Sequence, residues 1–185
     1  EEKHELENTV IIFTGENGLA VGQHGLMGKQ NHYEHSIRVP LIVSGPGIQK
    51  NARNDALIYL LDIFPTLCDH LGLKTPASVE GQSFAPILKG QATQSRDQLF
   101  FAYADTLRSI KKHNFKLTLA AVEDRQPVRR LFNVEADPWE LQDLSEVPQY
   151  RKLRDELEAE LRQTAVQWDD PESRWGEVFW DRWDR

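Results

Sequence analysis

Two unbroken apolar runs, Val10 to Phe13 and Val39 to Val43, bracket a polar, glycine-punctuated stretch that holds Glu16, Asn17, His24 and Lys29. Short apolar runs bounded by turn residues suit strands covered on both faces, and in open α/β sheets ligands gather beyond the carboxyl ends of such strands. The pattern predicts buried strands over about 9–14 and 39–44, and marks the residues after Phe13 as candidates for chemistry. Pro40 argues against a central, fully paired position at the start of the second strand. Glycines 15, 18, 22, 25 and 28 recur through the loop, as expected where backbone takes positive φ or approaches a ligand closely. Neither G-x-x-x-x-G-K-[ST] nor G-x-G-x-x-G occurs, so the loop is not a phosphate cradle of those kinds.

On either side the pattern is simpler. The charged opening EEKHELEN reads as a helix end or a solvated turn, and Asn31 to Arg38 as a short helical or irregular connection. Asp62 is placed to cap a helix with Pro65 in its first turn, Leu67, Cys68 and Leu71 on one face, and Gly72 as terminator. Cys68 reads as a buried small apolar residue. A second short helix, Phe84 to Lys89, closes at Gly90. The polar stretch Gln91 to Arg96 marks a boundary, so residues 1–92 and 93–185 read as two parts. In the second, Leu99 to Tyr103, Leu107 to Lys111, Phe115 to Ala121 and Arg129 to Val134 have strand character and short polar turns, the signature of a small antiparallel sheet. Asp137-Pro138 makes a turn. Tyr150 to Trp168 is an amphipathic helix with Leu153, Leu157 and Leu161 at four-residue spacing. Trp175, Trp180 and Trp183 in the tail are expected to dock onto the parent domain.

Charge and composition exclude some roles. A net charge of −7, from 22 basic and 29 acidic residues without a basic run, argues against a nucleic-acid partner. No segment approaches the ~18 consecutive apolar residues of a membrane span. One cysteine, Cys68, excludes an internal disulfide. A central parallel strand needs neighbours on both sides and helices over both faces. The candidate strands are too few for that, so an upstream part of the same polypeptide is expected to complete the sheet.

FTGENG, followed by GQHGLMGKQNHYEHSIRVPLIVSGPGI, resembles the second conserved block of the sulfatases, in the alkaline phosphatase superfamily, where FTSDNG or FTSDHG precedes GEHGLWGK and RVPLI. Weaker similarity continues through DIFPTL, EGQSFAPILKG and LFNVEADPWELQDL. The resemblance implies an α/β fold: the C-terminal part of an alkaline-phosphatase-like sulfatase domain over 1–92, then a small antiparallel-sheet-plus-helix subdomain over 93–185. It implies a sulfuric ester hydrolase acting on a sulfated small molecule or glycan, in the periplasm or secreted. Phosphonate monoester or phosphodiester hydrolysis is the alternative within the superfamily. A non-catalytic binding module is the alternative outside it, motivated by Glu16 standing where the family usually has Asp.

The resemblance also assigns roles. Glu16 and Asn17 match metal ligands, and their hard oxygens suit Ca²⁺, with Mg²⁺ as the alternative. Two ligands fall short of the roughly six to eight oxygens Ca²⁺ takes, and the family's remaining carboxylates lie upstream. Lys29 matches the lysine that contacts the sulfate ester, where a point positive charge neutralises developing negative charge. His24 is a candidate to hydrogen-bond substrate or to protonate the leaving alkoxide. His32, Tyr33 and His35 are candidates to line the entrance. The family's nucleophile is a formylglycine made from the first residue of C-x-P-S-R or S-x-P-S-R. No such motif occurs in this sequence, so it is expected upstream.

Overall fold

A computed structural model describes residues 5–185 of the protein. Residues 1–4 of the charged opening lie outside the described residues, and Leu6–Asn8 form a single 3-10 turn. In chain order the elements are β1 (Ile11–Thr14), β2 (Ala20–Val21), β3 (Met27–Gly28), α1 (Glu34–Ile37), β4 (Leu41–Ser44), α2 (Ile63–His70), α3 (Ala85–Leu88), β5 (Gln98–Tyr103), β6 (Leu107–Lys112), β7 (Phe115–Ala120), β8 (Val128–Asn133), α4 (Arg151–Gln167) and α5 (Arg174–Trp183). They gather into two compact units, the first from residues 5–16 with Val39–Asp97, the second from Asn17–Arg38 with Gln98–Arg185.

In the first unit β1 and β4 pair antiparallel, Ile12 opposite Val43. The expectation of strands covered on both faces is corrected here: Ile11, Phe13 and Ile42 are exposed. The alternation that half-buries Val10, Ile12 and Val43 against α2 and α3 turns those three outward, because successive side chains of a strand point to opposite faces. Val10, Ile12, Leu41, Val43, Phe84 and Leu88 line a cavity of about 10 Å³, room for no more than one water. Helix α2 ends where expected, with Gly72 at φ 69° and the Leu73 N–H returning to the Cys68 carbonyl at 2.8 Å. Cys68 is buried, but Leu71 is exposed rather than on the inner face.

Asp62 does not cap α2 through its side chain. Its fully buried carboxylate accepts two bonds from the Arg96 guanidinium, at 2.6 and 2.9 Å, and the N–H groups of Tyr59 and Gln82 at 2.8 and 2.7 Å. A bidentate, charge-assisted pair outcompetes a single bond to a helix N–H. Burial alone would raise the Asp62 carboxyl, but Arg96 and the two amides overcome this and hold it below the usual range.

The second unit is built on the antiparallel meander β5-β6-β7-β8. Ile110, Leu117, Leu119 and Leu131 face one side and pack with Leu157 and Leu161 of α4 and Phe179, Trp180 and Trp183 of α5. Two of the three tail tryptophans therefore belong to the core, while Trp175 is half exposed. The Trp180 indole N–H donates to Asp170 at 3.0 Å, and Asp170 also accepts from buried Arg108 at 2.7 Å. The strand positions between those core residues, Ser109, Lys111, Lys116 and Thr118, face the other way. On that side they receive residues 17–38.

Candidate functional site

The segment 17–38 is held by a buried polar network that is legible atom by atom. His32 Nδ1 lies 2.7 Å from Ser109 Oγ, which donates to Thr118 Oγ1 at 2.8 Å. Glu34 meets Lys111 at 2.7 Å and Lys116 at 3.1 Å; Lys116 also meets Glu140 at 2.7 Å. The Glu34 N–H closes the circuit onto Glu140 at 2.6 Å. Two ammonium groups facing two carboxylates leave the cluster formally neutral, which lets it be buried. Burial would raise Glu34, but Lys116 and Lys111 hold it below the ordinary range. In Glu140 burial prevails over Lys116 and the carboxyl is raised. His32 is driven down to about 3, first by burial and then by Lys116 and Arg108, so it is a neutral anchor and not part of an entrance.

Upon this base stands the β2-β3 hairpin, with Ala20 opposite Gly28 and Val21 opposite Met27. The Gly22 N–H reaches the Leu26 carbonyl at 2.9 Å, and the turn needs positive φ at Gly22 (107°), His24 (52°) and Gly25 (70°). Glycine takes this region freely, whereas His24 is strained there. Gly18 sets the hairpin's seat: its N–H bonds the Ser36 carbonyl at 2.9 Å, and a Cβ would stand 1.8 Å from the His35 carbonyl oxygen.

At the hairpin base the exposed Lys29 Nζ donates to Asn17 Oδ1 at 3.1 Å. The Asn17 amide NH₂ donates to the Gly18 carbonyl at 2.7 Å, which fixes the orientation of the amide. At the tip, His24 is tied elsewhere. Its ring stacks on Tyr33, centroids 3.7 Å apart and planes 7° from parallel, and Tyr33 stacks in turn on His35 at 5.7 Å. His24 Nε2 lies 2.9 Å from the Trp139 carbonyl. A carbonyl only accepts, so Nε2 carries a proton, and the tautomer this selects is the one with Nδ1 as the lone-pair acceptor. The Tyr33 hydroxyl accepts from Arg130 Nη1. His35 is lowered, by burial first and then by His24 and Lys116.

Thus Lys29 and Asn17 come together at one end of a hairpin, and His24 belongs to an aromatic stack at the other. Glu16 is exposed and lies in the first unit. Among the described residues no three His, Cys, Asp or Glu side chains converge as metal ligands. The donors present are of the right class for a hard cation, and Asn17 Oδ1 has a second lone pair beyond the one Lys29 occupies. They fit a metal as a partial set. The sequence reading missed Glu34, Lys111, Lys116 and Glu140. The signal was in β7, where FKLTLA places Lys116 and Thr118 alternately with apolar residues and so predicts a polar second face.

Residues 22–167 match the family described as N-sulphoglucosamine sulphohydrolase, C-terminal. The N-acetylglucosamine-6-O-sulfatase of Bacteroides thetaiotaomicron is 29% identical over 178 residues, covering 90% of this chain and 32% of its own length. The structure of BT4656 in complex with its substrate D-glucosamine-2-N,6-O-disulfate superposes with a TM-score of 0.79 at 26% identity, over 91% of this chain and 36% of that one. The phosphonate monoester hydrolase of Agrobacterium radiobacter gives 0.75 at 26% identity, over 90% and 36%. The chain thus spans about a third of the length of the relatives it matches.

Proposed function

This chain belongs to the sulfatase family, as its C-terminal portion with the alkaline-phosphatase-like mixed α/β fold, and from that premise we propose that it serves a protein hydrolysing sulfate monoesters of sulfated amino sugars. The observation that carries the reading is the Lys29–Asn17 pair, 3.1 Å apart at the base of the hairpin. An exposed ammonium held in place by a fixed amide oxygen is preorganised to meet an anionic ester. Lys29 neutralises charge on the sulfate oxygens, while Glu16 and Asn17 contribute oxygen ligands to a metal ion, for which Ca²⁺ is favoured over Mg²⁺. His24 orients the leaving side of the ester, with Nδ1 as its free position. Family membership implies a metal and a formylglycine in general, and when present these supply the nucleophile and its activation. Residues 1–92 would form the end of the catalytic domain and 93–185 its C-terminal subdomain, in a periplasmic or secreted protein. The exposed Ile11, Phe13 and Ile42 offer a face for an upstream part of the same polypeptide.

The similarity to a phosphonate monoester hydrolase favours a second reading, since a lysine and oxygen ligands serve phosphorus esters equally. Full-length protein assayed side by side on aryl and glucosamine sulfates and on phosphate and phosphonate esters separates the two. The expected result is a higher kcat/KM on sulfate. Preference for phosphorus esters overturns the sulfatase reading in favour of the second.

A further inference from the structure

Trp139 occupies a turn that is fixed from beneath and open above. The Glu140 N–H bonds the Asp137 carbonyl at 3.0 Å, and the Gln142 N–H bonds the Asp137 carboxylate at 2.8 Å. Glu140, at a left-handed φ of 56°, sends its carboxylate into the buried cluster with Lys116 and the Glu34 N–H. The backbone is therefore rigid, yet Trp139 is 66% exposed. Its carbonyl receives the His24 Nε2–H at 2.9 Å, which joins the turn to the hairpin tip. Lys29, at the hairpin base, is five residues from His24, at most roughly 16 Å at the strand rise per residue. Lys29 and the Trp139 turn are thus joined through one hairpin within that distance.

We propose that Trp139 is a specificity-determining residue that stacks against a pyranose ring of the ester whose sulfate Lys29 holds. An indole presents a flat, electron-rich, apolar face. A pyranose offers a matching face of C–H groups, and an amino substituent adds a cation–π attraction. The pinned turn supplies the platform before substrate arrives, so little ordering opposes binding. The inference rests on the sulfate-ester reading.

The test uses the full-length protein and its Trp139→Ala and Trp139→Phe variants, on glucosamine 6-sulfate and on a short alkyl sulfate without a ring. His24 bonds the backbone carbonyl, so the alanine variant keeps that link. The expected result is a rise of about tenfold in KM for the sugar in Trp139→Ala, with kcat within about twofold, the alkyl sulfate unaffected and Trp139→Phe largely restored. Unchanged KM for the sugar overturns the proposal, as does equal loss on both substrates. A fall in Tm with unchanged KM overturns it too, by assigning the indole to contact with another part of the polypeptide. Wild-type protein without turnover on any sulfate ester overturns the sulfate-ester reading itself, and this inference with it.

Discussion

The imidazole of His24 lies flat on the ring of Tyr33, centroids 3.7 Å apart, while Nε2 is held by the Trp139 carbonyl at 2.9 Å. A strained, left-handed residue on an exposed turn keeps one orientation only if something clamps it. The stack and the carbonyl together do this, one fixing the plane of the ring and the other its tautomer. Tyr33→Leu removes the stack, and Tyr33→Phe keeps it but loses the bond from Arg130. Aromatic pairs of this kind are worth about 0.5 to 1.5 kcal/mol, so Tyr33→Leu is expected to lower kcat/KM by up to about tenfold and Tyr33→Phe by less. Steady-state kinetics with the ¹⁵N shifts of His24 check this. Wild-type rates and imidazole shifts in Tyr33→Leu would remove the clamp from the argument.

How far the site was legible in the sequence depends on the range of the interaction. The meander, helix α4 and the Gly72 terminator follow from periodicity and turn chemistry, which are local. The pairing of Lys29 with Asn17 lies across one short hairpin, and the loop motif announced both residues. The Glu34–Lys116–Glu140 cluster joins residues about a hundred positions apart, and no local pattern gives a partner at that separation. Asp62 failed for the same reason: its local signal was a helix cap, and Arg96, thirty-four residues on, offered a stronger bond. The exposure of Ile11, Phe13 and Ile42 was hidden because an unbroken apolar run does not say which of its faces the described chain covers.

Lys29 and the proposed metal ligands should fail in different ways. Lys29→Ala removes a charge but no oxygen ligand and opens no core cavity, so metal content and folding stay near wild type. Losing one preorganised charge contact costs about 3 to 4 kcal/mol, or roughly 10² to 10³ in rate. Glu16→Ala and Asn17→Ala should instead weaken metal affinity first, with added Ca²⁺ restoring part of the activity. Calorimetric metal titration beside kinetics on the three variants checks the distinction. Unchanged affinity in Glu16→Ala would mean that glutamate in place of the family's aspartate no longer ligates.

Gly18 is the steric hinge of the loop. Alanine there would set a Cβ 1.8 Å from the His35 carbonyl oxygen and 2.9 Å from its carbon, and a backbone neighbour cannot rotate away. Overpacking of this sort costs about 1 to 3 kcal/mol. Because Asn17 precedes the hinge directly, Gly18→Ala is expected to lower metal affinity and turnover more than the global Tm. Wild-type activity with wild-type Tm would show that the two strands of backbone part more easily than this contact allows.

His32 makes the docking of the loop sensitive to acid in a window that the carboxylates leave largely to it. Its folded pKa is about 3 against an ordinary 6.5. Above 6.5 the ring is neutral in both states and nothing is lost. Between 6.5 and 3 the unfolded chain takes up a proton that the folded protein refuses, so stability falls by about 1.4 kcal/mol per pH unit. By pH 4.5 the loss is on the order of 2.7 kcal/mol. Glu34 and Asp62, both lowered, add to the loss only as the pH falls below their ordinary range. Glu140, raised, works in the opposite direction: the folded state protonates it first, so its share of stability returns as the pH falls through its elevated value. The difference between wild type and His32→Asn isolates the histidine, because asparagine can still bond Ser109 and does not titrate. Urea midpoints at pH 7.5, 6 and 5 should diverge, with wild type losing stability faster on acidification. Parallel curves would mean that His32 accepts its proton within the folded protein, and that the buried Lys116 and Arg108 do not exclude it.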